Sequence, residues 1–183
     1  MLTIILIIVA LVIAAALSVV LMQPSAFSIT RTATINAPPA AVFAQVDDFH
    51  AWPAWSPWAK LDPAAVLTYD GPAAGVGAGY SWNGNKKVGA GRMTITASDK
   101  HDLVRIDLVF TRPFRARNVA EFTFTQAGDQ TIISWSMNGR NGLIGKAFAM
   151  FVDCDKMIGG DFEKGLAAMK AVVESAAKAP AAG

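Results

Sequence analysis

Residues 116–138, ARNVAEFTFTQAGDQTIISWSMN, decide the fold. Ala120, Phe122 and Phe124 recur at every second position, as do Ile133, Trp135 and Met137, and Ala127-Gly128-Asp129 stands between the two runs. Successive side chains of a strand point to opposite sides, so this period predicts two antiparallel strands joined by a glycine turn and sharing an apolar face. Upstream the same period runs back to Ala65, punctuated by Asp70-Gly71-Pro72, Asn83-Gly84-Asn85, Ser98-Asp99-Lys100 and Arg112-Pro113-Phe114. The spacing predicts strands over Val66 to Tyr69, Ala78 to Trp82, Arg92 to Ala97, Leu103 to Thr111, Ala116 to Gln126 and Gln130 to Asn138. Such an antiparallel meander has one apolar face that needs a cover.

The cover follows in the chain. No proline occurs between Leu143 and Ser175, and Ile158, Phe162, Leu166, Met169 and Val173 recur at helical spacing, with Asp161, Glu163, Lys164, Lys170 and Glu174 elsewhere around the helix. Gly159-Gly160 lower helix propensity near its start, so a shorter helix from Leu143 to Phe151 and a break are expected first. Ahead of the meander, Ser28 to Asn36 reads as an opening strand, stopped by Asn36-Ala37-Pro38-Pro39. Val42, Phe43 and Val46 then mark a short helix ending at Asp47-Asp48. Phe49 to Trp58, FHAWPAWSPW, packs three of the five tryptophans around two prolines and suits a compact helical turn or loop.

At the other end, Ile4 to Met22 reads IILIIVALVIAAALSVVLM, with Ser18 its only polar side chain, and the first charged side chain is Arg31. At about 1.5 Å per residue this run reaches roughly 29 Å, close to the thickness of a bilayer's hydrocarbon core. No Lys or Arg precedes it and Gln23-Pro24-Ser25-Ala26-Phe27 offers no A-x-A-like cleavage site, which disfavours a removed secretory signal. The expected plan is a transmembrane anchor over residues 1–24, one folded domain over 25–175 and a flexible tail over 176–183. The expectation is a protein that crosses its membrane once. With only Arg31 near the bilayer, the side on which the domain lies stays open.

All 16 basic and 14 acidic residues lie outside the apolar run, and a net charge of +2 is too balanced to indicate a nucleic-acid partner. A single cysteine, Cys154, excludes an intramolecular disulfide. The two histidines, His50 and His101, lack a partner at ligand spacing, so no metal site and no cofactor are expected. His101 reads as a solvated turn residue. Gly75-Val76-Gly77-Ala78-Gly79-Tyr80 lacks the last glycine of a phosphate loop and leads into a strand, so it reads as a turn. Asp153 and Asp155 flank Cys154 and read as capping or solvated helix residues, since nothing basic is fixed beside the thiol.

A strand, two short helices, six strands and a long helix form the order of an α+β helix-grip fold, a curved sheet wrapped around its C-terminal helix. The chain resembles the START/Bet v 1-like (SRPBCC) superfamily, and within it the bacterial polyketide cyclase/dehydrase-like group. The residues that carry the resemblance are the Ile35-Asn36-Ala37-Pro38 turn with Val42-Phe43, the segment from Phe49 through Trp52, Trp55, Ser56 and Pro57 to Trp58, the strand with Gly77, Gly79, Tyr80 and Trp82, and Asp161-Phe162-Glu163-Lys164-Gly165-Leu166. The resemblance implies a hydrophobic cavity between sheet and helix, in a superfamily whose members bind lipids, sterols, hormones or polyketides. It does not supply a reaction.

The apolar residues expected to line such a cavity are Trp55, Trp82, Met93, Phe122, Phe124, Trp135, Met137, Phe162, Leu166 and Met169. Arg92, Arg105, Asn118, Glu121 and Asn138 are polar candidates for orienting a ligand head group or polarising a carbonyl. A competing reading puts Arg105, Asp107 and Glu121 on the solvent face, because apolar residues alternate with them, and leaves Asn118 and Asn138 undecided. The Arg112-Pro113-Phe114-Arg115-Ala116-Arg117 turn places an aromatic among three arginines, which suits an anionic membrane surface or a solvated hairpin tip. The expected function is a membrane-anchored binder or carrier of a hydrophobic small molecule. The rivals are a cyclase, dehydratase or hydrolase on a polyketide-like or lipid substrate, and an interaction module with a filled core. Oligomeric state is not legible.

Overall fold

The computed structural model describes residues 1–178. Helix α1 (Leu2–Met22) contains no buried residue and is long and apolar enough to span a membrane. Ser18 Oγ donates to Ala14 O at 2.8 Å, so the one polar side chain of the expected span is satisfied inside the helix.

Seven strands follow, β1 (Ala26–Ile35), β2 (Val66–Asp70), β3 (Gly79–Asn83), β4 (Ala90–Asp99), β5 (Leu103–Arg112), β6 (Ala116–Ala127) and β7 (Gln130–Arg140). They form one antiparallel sheet in the order β1-β7-β6-β5-β4-β3-β2. Every strand starts and ends within two residues of its expected bounds. The opening strand closes against the last, with Ile29 opposite Met137 and Ile35 opposite Thr131. Register shifts at Ala90/Gly91 and Ile95/Ala97 interrupt the β4–β5 ladder, where such irregularities bend a sheet.

Between β1 and β2 lie helix α2 (Pro39–Asp47) and a 3₁₀ helix (Phe49–Ala54). Pro39 starts α2 without needing an amide partner, and Asp48 stops it and accepts from the His50 amide at 2.8 Å. The indoles of Trp52 and Trp55 donate to Val46 O and Gln45 O at 3.1 and 2.9 Å, which fixes the tryptophan segment on α2.

Helix α3 (Leu143–Ala149) and the long α4 (Cys154–Lys178) complete the chain. The expected short helix and break are both present: α3 ends at Ala149, the break spans 150–153, and the glycine pair beyond it is helical. Asp153 Oδ1 accepts from the Lys156 amide at 3.0 Å and so caps α4. Gly159 and Gly165 lie on the buried face of α4, because a Cβ there would run into the Arg31 guanidinium or into the ring of Trp135. Helix α4 also covers 176–178, expected as tail; the rest of that expected tail, 179–183, lies outside the described residues.

The inner face of the sheet, α2, the tryptophan segment and α4 enclose one hydrophobic core. The chain therefore has the helix-grip fold.

Candidate functional site

Strand alternation sorts the candidates. Phe122 and Phe124 of β6, Trp135 and Met137 of β7, and Met93 of β4 point inward, under Phe162, Leu166 and Met169 of α4. These eight and Trp55 are buried in one cluster, and Trp82 is partly buried against it. They touch one another: Trp135 stacks on Phe162 with centroids 4.0 Å apart and on Phe122 at 4.9 Å, and Trp55 meets Trp135 edge-on at 5.7 Å.

The polar candidates separate. Arg92 lies on the outer face with Asp70 at 3.0 Å, and Arg105 and Glu121 pair with each other there at 2.8 Å. Asn138 is exposed, opposite Val119 and Ser28. Each is out of phase with its strand's apolar residues, so the pleat turns it to solvent. Asn118 alone among them is in phase with Ala120 and Phe122, and it faces inward, 8% exposed.

Packing on the inner face is tightest in the middle and loosens toward one end, its open end. Ile35, Val42, Val46, Val104, Ile106, Phe122 and Ile133, at the far end and the middle, have no accessible surface. At the end where β1 begins, Met93, Leu108, Met137 and Asn118 keep a small exposure, and Phe27, Trp58, Trp82 and Phe110 are only partly buried. Trp82 holds Phe110 edge-on at 5.6 Å and donates to Val88 O at 3.0 Å. Just beyond, Val109, Phe110, Thr111, Arg115, Ala116 and Arg117 border an open groove of about 500 Å³.

Two buried polar groups on this face lack ordinary partners among the described residues. Asn118 Nδ2 reaches only Met137 Sδ, at 3.8 Å, a weak acceptor. The Trp135 indole N–H is buried with no acceptor at all. Leaving a buried polar group unpaired costs about 1–3 kcal/mol, so such groups call for a structural or functional reason. Among the described residues the strands place no carboxylate on the inner face.

Three features escape sequence reading. Arg31 enters the inner face from β1 and is held by Asp155 at 2.9 Å and Glu163 at 2.7 Å. His101 lies in a turn, as expected, but is half-buried rather than fully solvated, at φ 66° with its ring edge-on to Phe43. The third is a smaller groove of about 250 Å³, which joins His50, Tyr69 and Asp70. There His50 Nδ1 lies 2.7 Å from Asp48 Oδ1 and the imidazole stacks on Tyr69 at 4.2 Å. The Asp48-x-His50 spacing is visible in the chain, but the tyrosine partner arrives from β2. Burial and then the Asp48 charge raise the Tyr69 phenol, and burial followed by Tyr69 pushes Tyr80 up to about 12, so both stay protonated at neutral pH.

The fold recurs among solved structures. A Staphylococcus aureus protein of unknown function, SA2116, matches with a TM-score of 0.64 at 10% identity, over 85% of this chain and 98% of its own. Mll3558 from Rhizobium loti matches at 0.61 and 17% identity, over 80% and 96%. Ara h 8.0201 matches at 0.57 and 14% identity, over 82% and 99%. At these identities the likeness is one of fold. No curated protein sequence matches the chain. The family model described as polyketide cyclase / dehydrase and lipid transport matches residues 26–174, from the first residue of β1 into the last turns of α4. By that match over the whole helix-grip unit, the chain belongs to the polyketide cyclase/dehydrase and lipid transport family.

Proposed function

We propose that this protein binds or carries a hydrophobic small molecule, a lipid, isoprenoid or polyketide-like compound, at the open end of the inner face, and that α1 anchors it in a membrane. The observation that carries the reading is Asn118: a nearly buried carboxamide at the open end, beside apolar side chains, with a thioether as its only side-chain partner among the described residues. An apolar pocket with a few orienting polar groups is the usual form of a small-molecule site. Trp82, Met93, Phe110 and Met137 would hold the apolar body of the ligand and Asn118 its polar end. The residues deeper in, around the Trp135–Phe162 stack, would act as floor. The proposed organisation is anchor over 1–24 and binding domain over 25–175.

The close packing under α4 favours a second reading, an interaction module with a filled core. Native mass spectrometry with lipid extraction, on the full chain released from detergent after incubation with membrane lipids, separates the two. A defined hydrophobic mass that is retained by the wild type and lost in Asn118→Leu supports binding at the open end. A folded chain that takes up nothing overturns it in favour of the filled core.

A further inference from the structure

We propose that α3 and the β5–β6 turn form a second membrane contact, which lays the open end of the sheet on an anionic bilayer surface. This rests on the reading of α1 as an anchor. Helix α3 is tied to the exit of α1: Lys146 Nζ donates to Leu21 O at 3.1 Å, and the Asn141 amide donates to Ser25 O at 2.7 Å. A helix held there lies at the bilayer surface whenever α1 spans it. Its side chains suit that place. Leu143, Ile144 and Phe148 of α3 and Met150 and Phe151 just after it are exposed, Phe151 at 87%. So many apolar side chains on one short segment, in a fold whose core is otherwise buried, mark a contact surface.

The neighbouring turns share the composition. Ala26 pairs with Arg140, Phe27 and Asn118 flank Gly139, and Phe110 pairs with Ala116, so the β5–β6 turn lies at the same sheet end as the exit of α1. Phe114 is exposed at its tip. Arg112 binds Asn83 and Gly84 O across the adjacent β3–β4 loop, which brings Lys86 and Lys87 to this end. Arg115, Arg140, Lys86 and Lys87 have no ion-pair partner among the described residues, whereas the arginines of the outer face and Arg31 are paired. Exposed aromatic and aliphatic side chains ringed by unpaired cations match a headgroup layer carrying negative charge. The open end of the inner face then meets lipid rather than water, and a hydrophobic ligand can cross without solvation.

The test uses the full chain in vesicles of phosphatidylcholine and phosphatidylglycerol, in a Cys154→Ser background. An environment-sensitive fluorophore is placed in turn at Phe114→Cys, Phe148→Cys, Phe151→Cys, Val12→Cys and Asp129→Cys. With a nitroxide quencher at the headgroup boundary for the domain labels, and one deep in the acyl chains for the label at 12, the labels at 114, 148 and 151 are expected to lose about half their fluorescence, at the roughly 5–10 Å depth of interfacial side chains. The label at 129, on the far turn, keeps its signal. Reversing Arg115, Lys86 and Lys87 to glutamate reduces quenching at 114. A quenched label at 12 with 114, 148 and 151 as bright as 129 overturns the docking surface and leaves the anchor standing. An unquenched label at 12 overturns the anchor and this proposal with it. Labels at 148 and 151 that escape lipid quenching but self-quench between chains overturn it in favour of a second copy.

Discussion

Within α4 a Cβ on Gly165 would sit 2.9 Å from the Trp135 ring and 3.1 Å from Pro57, while one on Gly160 would meet nothing. Both glycines carry the same backbone-entropy cost, but only one is needed for close approach. Gly160→Ala is expected to stabilise the chain by about 1 kcal/mol through helix propensity. Gly165→Ala is expected to destabilise it by about 1–3 kcal/mol, because the aromatic stack must shift. Urea midpoints followed by tryptophan fluorescence check both, and shifts of the same sign would refute the packing described. Asn118 presents the opposite case, a residue whose side chain is poorly used by the fold. Asn118→Leu removes an under-partnered carboxamide and keeps its branched shape, so stability should change by no more than about 1 kcal/mol. A larger loss in the same urea titration would mean that Asn118 is structural.

At the scale of elements, ion pairs and a helix-end contact fasten α4 across the strands. The Arg31 guanidinium holds the Asp155 carboxyl below its ordinary 3.8, and the Asn36 backbone amide, ahead of Lys170, holds Glu174 below its ordinary 4.5. A carboxylate whose value is lower in the fold stabilises it above the unfolded value and loses that contribution as pH falls through the folded one. The contribution of these two carboxylates should therefore be constant at neutral pH and be lost as pH falls below about 4, through their folded values, which gives stability an acid limb. Arg31→Met should flatten part of that acid limb in urea titrations at a series of pH values; an unchanged limb would show that Asp155 is not set by Arg31. The clamp also shows what a sequence conceals. Strand and helix periods were legible because the core imposes them on Phe122, Trp135 and Phe162. Phase was legible too: Asn118 keeps step with Phe122, and Glu121 does not. Which face carries the helix, and that Arg31 is a charge drawn inward by acids more than a hundred residues later, depends on pairings that no local pattern contains. Gly159 is a further case: its low helix propensity shows in the sequence, but the Arg31 guanidinium packed against it does not.

For the whole molecule, the exit of α1, helix α3 and the open end of the sheet lie together, which gives the proposed anchor a functional consequence beyond tethering. A domain held at the surface samples its cargo at an effective concentration on the order of millimolar for a short connection. The connection here is short, 23–25 between α1 and β1. Uptake of a fluorescent lipid by the full chain in vesicles should then be nearly independent of vesicle concentration, because the donor surface is always within reach. The same domain beginning at Ser25 must find the surface by diffusion, and its uptake should rise in proportion to added vesicles until its sites fill. Stopped-flow energy transfer from the tryptophans near the open end, Trp58 and Trp82, to the lipid probe reads both cases. Equal dependence on vesicle concentration would mean that α1 does not present the open end to the bilayer. Uptake by neither form, with the fold intact by circular dichroism, would return the weight to a filled core acting through its surface.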